Sequence, residues 1–147
     1  MLFQIGLGTM LMMLTIFVAA MAAWVMEWLF QLFRGWLLRP PHRPKLMLVV
    51  FVSAFFALGI VTTGVWIWAI AYRLLGVFDT MEASIYFSLV SFTTLGYGDI
   101  LLTHQWRILG GMAAANGLLN FGLVTALLVE ALRHLRISQV AEARQKH

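Results

Sequence analysis

The sequence predicts an all-α membrane protein: three transmembrane helices, with one short re-entrant helix between the second and the third. Three observations lead there. First, 62% of the 147 residues are hydrophobic and only 11% are charged, with a mean hydropathy of +0.89. A soluble core of this size cannot hide so much apolar surface, because surface scales steeply with mass. Second, the charges sit in short clusters beside apolar runs, which is how membrane topology is written. The pI of about 10.1 therefore does not imply a nucleic-acid partner. Third, three apolar runs exceed the roughly 20 residues needed to cross a bilayer, and a fourth falls short. With no cysteine in the chain, a disulfide framework, a thiolate nucleophile and a zinc-thiolate site are all excluded.

The first run, Leu2 to Phe33, carries one charge, Glu27. It is too long for a signal peptide, no Lys or Arg precedes it, and four basic residues follow it closely. Residues 1–33 thus form a retained N-terminal transmembrane helix, expected to pack at the periphery through Ala19, Ala22 and Ala23. Residues 34–45, RGWLLRPPHRPK, are predicted to be a loop, since Pro40, Pro41 and Pro44 lack the amide hydrogen a helix uses. Arg34, Arg39, Arg43 and Lys45 make that loop cytoplasmic, and Trp24, Trp28 and Trp36 fit an interfacial aromatic belt at the same end.

The second run, residues 46–75, has only Arg73, and the third, within 107–133, has only Glu130 between Ile108 and Leu132. Residues 134–147 then form a basic tail containing Arg136, Arg144 and Lys146. Both basic flanks belong inside, so the stretch from Arg73 to Arg107, with two arginines against three acids, belongs outside. The amino terminus is then external and the carboxyl terminus cytoplasmic. Between these runs, residues 79–92 are too short to span. Asp79 with Glu82 three positions later predicts a capping box with Asp79 as the cap, and both acids suit the positive end of a helix. This short helix enters from outside and turns its carbonyl end toward mid-bilayer.

The segment that follows is the chemically unusual one: SFTTLGYGDI, residues 91–100. Non-helical backbone at membrane depth is tolerated only where it is buried in protein or lines water. Gly96 and Gly98, alternating with larger residues, permit backbone angles that let successive carbonyls point the same way. Carbonyls stacked around an axis replace the water shell of a monovalent cation.

Thr94-Leu95-Gly96-Tyr97-Gly98, preceded by SIYFSLVSFT and followed later by GLLNFGLVTALL, resembles the potassium-channel pore family. The resemblance runs over residues 46–133, with Leu95 where Val or Ile is commoner, and it does not reach the first 45 residues. It implies a pore domain of outer helix 46–75, pore helix 79–92, selectivity filter 93–99 and inner helix 107–133, assembled as a homotetramer around the filter. It further implies that the carbonyls of Thr94, Leu95, Gly96 and Tyr97, with the Thr94 hydroxyl, bind K+, the permeant ion rather than a cofactor. By the same resemblance Gly98 completes the ion-binding filter, Thr93 supports it, and Tyr97 braces it from behind. Asp99 is hydrogen-bonded by Tyr86, which stands where relatives carry a pore-helix aromatic. Val90 stands where some relatives carry a glutamate behind the filter. By the same resemblance Gly117 is the bending point of the inner helix, and Leu118, Phe121, Thr125 and Val129 line the cavity and gate. The resemblance to simple bacterial channels implies a bacterial inner membrane.

Asn116 and Asn120 are polar within a span and face protein or water rather than lipid. Glu130, Arg133, His134 and Arg136 read as a basic anchor at the inner mouth rather than a pH sensor, and His42, His104 and His147 form no ligand spacing with His134. No ladder of arginines marks a voltage sensor, and the residues after Leu132 are too few for a ligand-binding domain. No nucleophile–base pair or metal cluster indicates an enzyme. The function that the resemblance implies is passive, single-file K+ conduction, with the bilayer and identical subunits as partners and neither nucleic acid nor soluble substrate. Two alternatives remain open: a weakly selective cation channel of the same fold, and a non-conducting channel subunit or membrane scaffold.

Overall fold

The computed structural model describes residues 1–37 and 42–145, with backbone alone at 42, 43, 131 and 134–145. Arg39, Pro40 and Pro41 of the predicted loop lie outside the described residues, as do Lys146 and His147; so do the side chains of His42, Arg43, His134, Arg136 and Arg144. The elements in chain order are α1 (Leu2–Leu32), α2 (Arg34–Leu37), α3 (His42–Leu74), α4 (Met81–Phe92), a 3-10 turn (His104–Trp106) and α5 (Arg107–Gln145). Three helical stretches, Leu2–Leu32, Pro44–Leu74 and His104–Glu130, are long and apolar enough to cross a membrane. Their outer faces carry exposed Phe17, Trp24, Phe51, Phe55 and Leu58, and a helix apolar on all sides suits lipid outside and packing inside.

Three local expectations are corrected. The stretch predicted as a loop over 34–45 is helical at both described ends, in α2 and in the start of α3. Pro44 sits in the first turn of α3, where its missing amide would have had no intrahelical acceptor. Lys45 Nζ donates to the Trp36 carbonyl and lies 4.5 Å above the Trp36 ring, tying α2 to α3. The cap of α4 is Thr80, not Asp79: Thr80 is extended (φ −123°, ψ 150°) and its hydroxyl accepts from the Ala83 amide at 3.2 Å. Asp79 is one residue too early to reach that amide in this frame. The inner helix, expected to end at 133, continues unbroken to Gln145.

Helix directions follow from the contacts. Tyr72 Oη donates to the Leu109 carbonyl at 3.3 Å, and Ile60 shares a buried cluster with Val124, so α3 and α5 run antiparallel. Along α1 and α5 the partners rise together: Gln4 donates to the Gln105 carbonyl, Gly8 lies against Leu109 and Met112, and Thr15 bonds Asn116. These two helices are parallel, and the amino terminus lies at the Gln105 end of the bundle. Ala19 is buried and Ala22 packs beside it against Ile60 and Val124, so α1 docks on the seam between α3 and α5 through its small residues. In lipid such docking rests on close van der Waals packing rather than on hydrophobic exclusion.

Helix α4 inserts between α3 and α5. An aromatic group holds its outer half: Phe87 meets Tyr72 edge-on at 5.4 Å and Phe78 at 5.2 Å. Its last residue, Phe92, is fully buried. A Cβ at Gly64 of α3 would meet the Phe92 ring at 2.7 Å, and one at Gly117 of α5 would meet the Phe92 carbonyl oxygen at 1.8 Å. Two bare glycine surfaces therefore seat the end of α4.

Candidate functional site

The segment from Thr93 to Asp99 leaves the carbonyl end of α4 without regular structure. Its first amides fold back onto that helix end. Thr93 N donates to the Leu89 carbonyl (3.0 Å), Thr94 N to Ser91 (2.9 Å), and both Leu95 N (3.0 Å) and Gly96 N (3.3 Å) to Val90. The Thr93 hydroxyl also donates to the Leu89 carbonyl at 2.8 Å. In a planar trans peptide each carbonyl opposes the next residue's N–H. The carbonyls of Thr93, Thr94 and Leu95 therefore point away from the α4 acceptors that their partner amides approach. Val90 thus anchors the segment through its main chain, while its side chain is buried.

Backbone sign alternates along this segment. Thr94 (φ 59°), Gly96 (φ 57°) and Gly98 (φ 77°) have positive φ, whereas Leu95 and Tyr97 do not. For the two glycines this conformation is unstrained. Thr94 is the one non-glycine residue of positive φ among the described residues, and strain of this kind concentrates where function demands a particular backbone.

The expected partner of Asp99 is present: Tyr86 Oη donates to Asp99 Oδ2 at 2.5 Å. This hydrogen bond is the chief reason that the Asp99 carboxyl is held below the usual carboxylate range and that the Tyr86 phenol is pushed above its ordinary value. It closes a loop of chain from α4, through the segment, back to α4.

Thr94 to Asp99 are exposed in the single chain, Tyr97 by 68%. Leu118, Phe121, Thr125 and Val129 are also exposed and recur on one side of α5, opposite the buried stripe Leu109, Ala113, Asn116, Asn120 and Val124. The Thr125 hydroxyl is bonded to its own helix at the Phe121 carbonyl, 2.8 Å. Phe121 meets Phe92 at 6.4 Å between ring centroids, so the exposed face of α5 borders the base of the 93–99 segment.

Gly117, singled out as a bending point, has a packing role, because its bare Cα admits the Phe92 main chain. Asn116 and Asn120 make a helix contact: both are fully buried against α1. Sequence reasoning missed their partner Thr15, although a lone hydroxyl within the apolar stretch Met10–Ala20 was a visible signal. It also missed Phe92 and Gly64, for which no local signal exists. Among the described residues no three His, Asp or Glu side chains group as metal ligands.

A family model described as "Ion channel" matches residues 48–134. Among curated proteins, the potassium voltage-gated channel protein shk-1 of Caenorhabditis elegans is 38% identical over 58 residues, which are 39% of this chain and 11% of that protein. The chain thus matches about a tenth of that relative's length. No solved structure matches the chain.

Proposed function

This chain belongs to the ion-channel family, and we propose that it is one subunit of a potassium-selective channel whose filter is Thr94-Leu95-Gly96-Tyr97-Gly98. The observation that carries the reading is the backbone of that segment. Its φ alternates in sign, and its leading amides are tied to the end of α4, which turns the Thr94 and Leu95 carbonyls away from the α4 acceptors. A single chain supplies one such row of oxygens, exposed on one side. Exposed non-helical backbone is not tolerated in hydrocarbon, so the row needs cover from protein or water, and the resemblance to potassium-channel pores implies that identical chains supply it as a closed ring of four.

In that ring the carbonyls of Thr94, Leu95, Gly96 and Tyr97, with the Thr94 hydroxyl, exchange places with the water shell of K+. Ions then pass in single file by mutual repulsion between adjacent sites. Helix α4, entering from outside as a re-entrant pore helix, directs its partial negative end toward the ion path. Leu118, Phe121, Thr125 and Val129 line the cavity below. Tyr97 packs behind the filter against a neighbouring subunit and holds its diameter. The potassium-channel relative supports the choice of ion. The amino terminus, at the Gln105 end, is then external and the carboxyl end of α5 cytoplasmic.

The test is the reversal potential of the purified protein in a planar bilayer, with potassium on one side and sodium on the other. A value near the potassium equilibrium potential is expected. Current reversing near zero would replace this reading with a weakly selective cation channel, and silence under every stimulus would replace it with a non-conducting subunit.

A further inference from the structure

Helix α1 lies outside the stretch matched by the family model, residues 48–134, yet it is registered closely on α5. Gln4 and Gln105 are 101 residues apart, and so are Thr15 and Asn116, as expected of two parallel helices in register. Most of that seam is apolar: Gly8 against Leu109 and Met112, and Ala19 beside Val124. Midway along it stand three buried polar residues, Thr15 at 2% exposure and Asn116 and Asn120 at 0%. Polar groups in a span are expensive and by default functional.

Their hydrogen bonds are specific and incomplete. The Thr15 hydroxyl lies 2.9 Å from Asn116 Oδ1 and 2.8 Å from the Met12 carbonyl. It has one hydrogen and can donate to only one of them at a time. Asn120 Nδ2 donates to Asn116 Oδ1 (3.0 Å) and to the Asn116 carbonyl (2.9 Å), and it lies 3.4 Å from the Thr15 oxygen. Asn116 Nδ2 and Asn120 Oδ1 are buried and have no partner among the described residues. A half-satisfied buried network is a poor way to add stability and a good way to build two states of similar energy. Thr15 can return its hydrogen to Met12 while Asn116 and Asn120 keep each other within α5, so the contact between helices opens without leaving the hydroxyl unbonded.

The position decides what the contact controls. Asn116 and Asn120 flank Gly117, whose Cα abuts the Phe92 main chain, one residue before the filter segment begins. At this level Thr15 of α1, the Asn116–Asn120 turn of α5, Phe92 of α4 and Gly64 of α3 form one contiguous layer. α5 is an uninterrupted helix through that turn, and any bend or rotation there displaces the two asparagines relative to Thr15.

We infer that α1 is a gating latch: Thr15, through Asn116 and Asn120, holds α5 in its present rotation, and gating exchanges hydrogen bonds within this triad. The latch rests on the channel reading above. Thr15 is a positioning residue and touches no ion. Single-channel recording of the full chain tests it, in symmetric potassium for open probability and unit conductance and with potassium opposed to sodium for the reversal potential. Thr15→Val, which removes the hydroxyl at similar shape, is expected to change open probability at least threefold, with unit conductance and reversal potential unchanged, and Thr15→Ser to restore wild-type gating. Open probability unaltered by Thr15→Val would reduce α1 to packing and overturn the latch. A wild-type reversal potential near zero with potassium opposed to sodium would instead strike the potassium reading alone.

If the valine variant does not assemble, the absence of native cysteine allows Thr15→Cys with Asn116→Cys. Oxidation is expected to cross-link α1 to α5 and to change open probability, with reversal by reductant. A cross-link that leaves gating unchanged, or side chains that fail to cross-link, would overturn the latch.

Discussion

Asp99 and Tyr86 show how a single hydrogen bond sets the working range of a backbone segment. The pair needs an ionised carboxylate and a protonated phenol. With the Asp99 carboxyl lowered in the folded protein, its contribution is full above the ordinary carboxylate value and is lost only as pH falls through the lowered one. With the Tyr86 phenol raised, its contribution is full below the ordinary phenol value and is lost only as pH rises through the raised one. Between about pH 4.5 and pH 9.5 the pair is therefore intact. Potassium current recorded across that external range should show constant kinetics attributable to this contact. Tyr86→Phe, which keeps the ring and loses the donor, should make the current decay faster throughout the range. A decay as slow as in the wild type would show that the pair does not brace the filter. The left-handed Thr94 belongs with this bond: one end of the segment is held by the amides folded onto α4, the other by Tyr86, and the strained residue sits between.

Among the elements, α4 is the one whose placement decides the site, and its seat is made of absences. Gly117 admits the Phe92 main chain and Gly64 admits the Phe92 ring. Gly117→Ala separates a packing role from intrinsic helix preference. Alanine gains about 1 kcal/mol in a helix interior, but a methyl forced against backbone costs about 1–3 kcal/mol or more. The backbone of Phe92 is not a flexible chain end that can swing aside, so the variant should unfold at lower temperature in detergent. A melting temperature equal to or above the wild type's would mean that α4 can withdraw from α5 at little expense. Helix α1, by contrast, is placed by a regular seam whose one polar layer coincides with the Gly117 turn.

For the whole molecule, the exposed surfaces argue for company. Thr94 to Asp99, and the face of α5 bearing Leu118, Phe121, Thr125 and Val129, remain uncovered in one chain, and Tyr97 has its ring in the open. In the proposed ring of four chains, neighbouring subunits would cover the Thr94–Asp99 backbone and pack against the Tyr97 rings. Native mass spectrometry of the solubilised protein should find a particle of four 16.6 kDa chains; a stable monomer as the largest species would contradict the ring of carbonyls. The ion-channel family agrees with the reading that this chain is a channel rather than an enzyme.

The three spans, the short fourth helix and the chemical oddity of residues 93–99 were legible in the sequence. Hydropathy, span length and the backbone freedom of alternating glycines are properties of short stretches, and each is expressed locally. The Tyr86–Asp99 bond was legible through resemblance, because both partners lie in one motif, thirteen positions apart. Other features depended on which surfaces meet. Thr80 rather than Asp79 caps α4, because it is the Thr80 hydroxyl that reaches the Ala83 amide once the chain has turned into the helix. Asn116 and Asn120 turn toward Thr15, a residue 101 positions from Asn116, and no local pattern ties such distant side chains together. Gly117 reads equally well as a hinge or as a contact until the Phe92 carbonyl is found against it. In a bilayer the helices gain little from hiding apolar surface from one another, so shape and a few polar contacts choose their partners, and both exist only once the chain has folded.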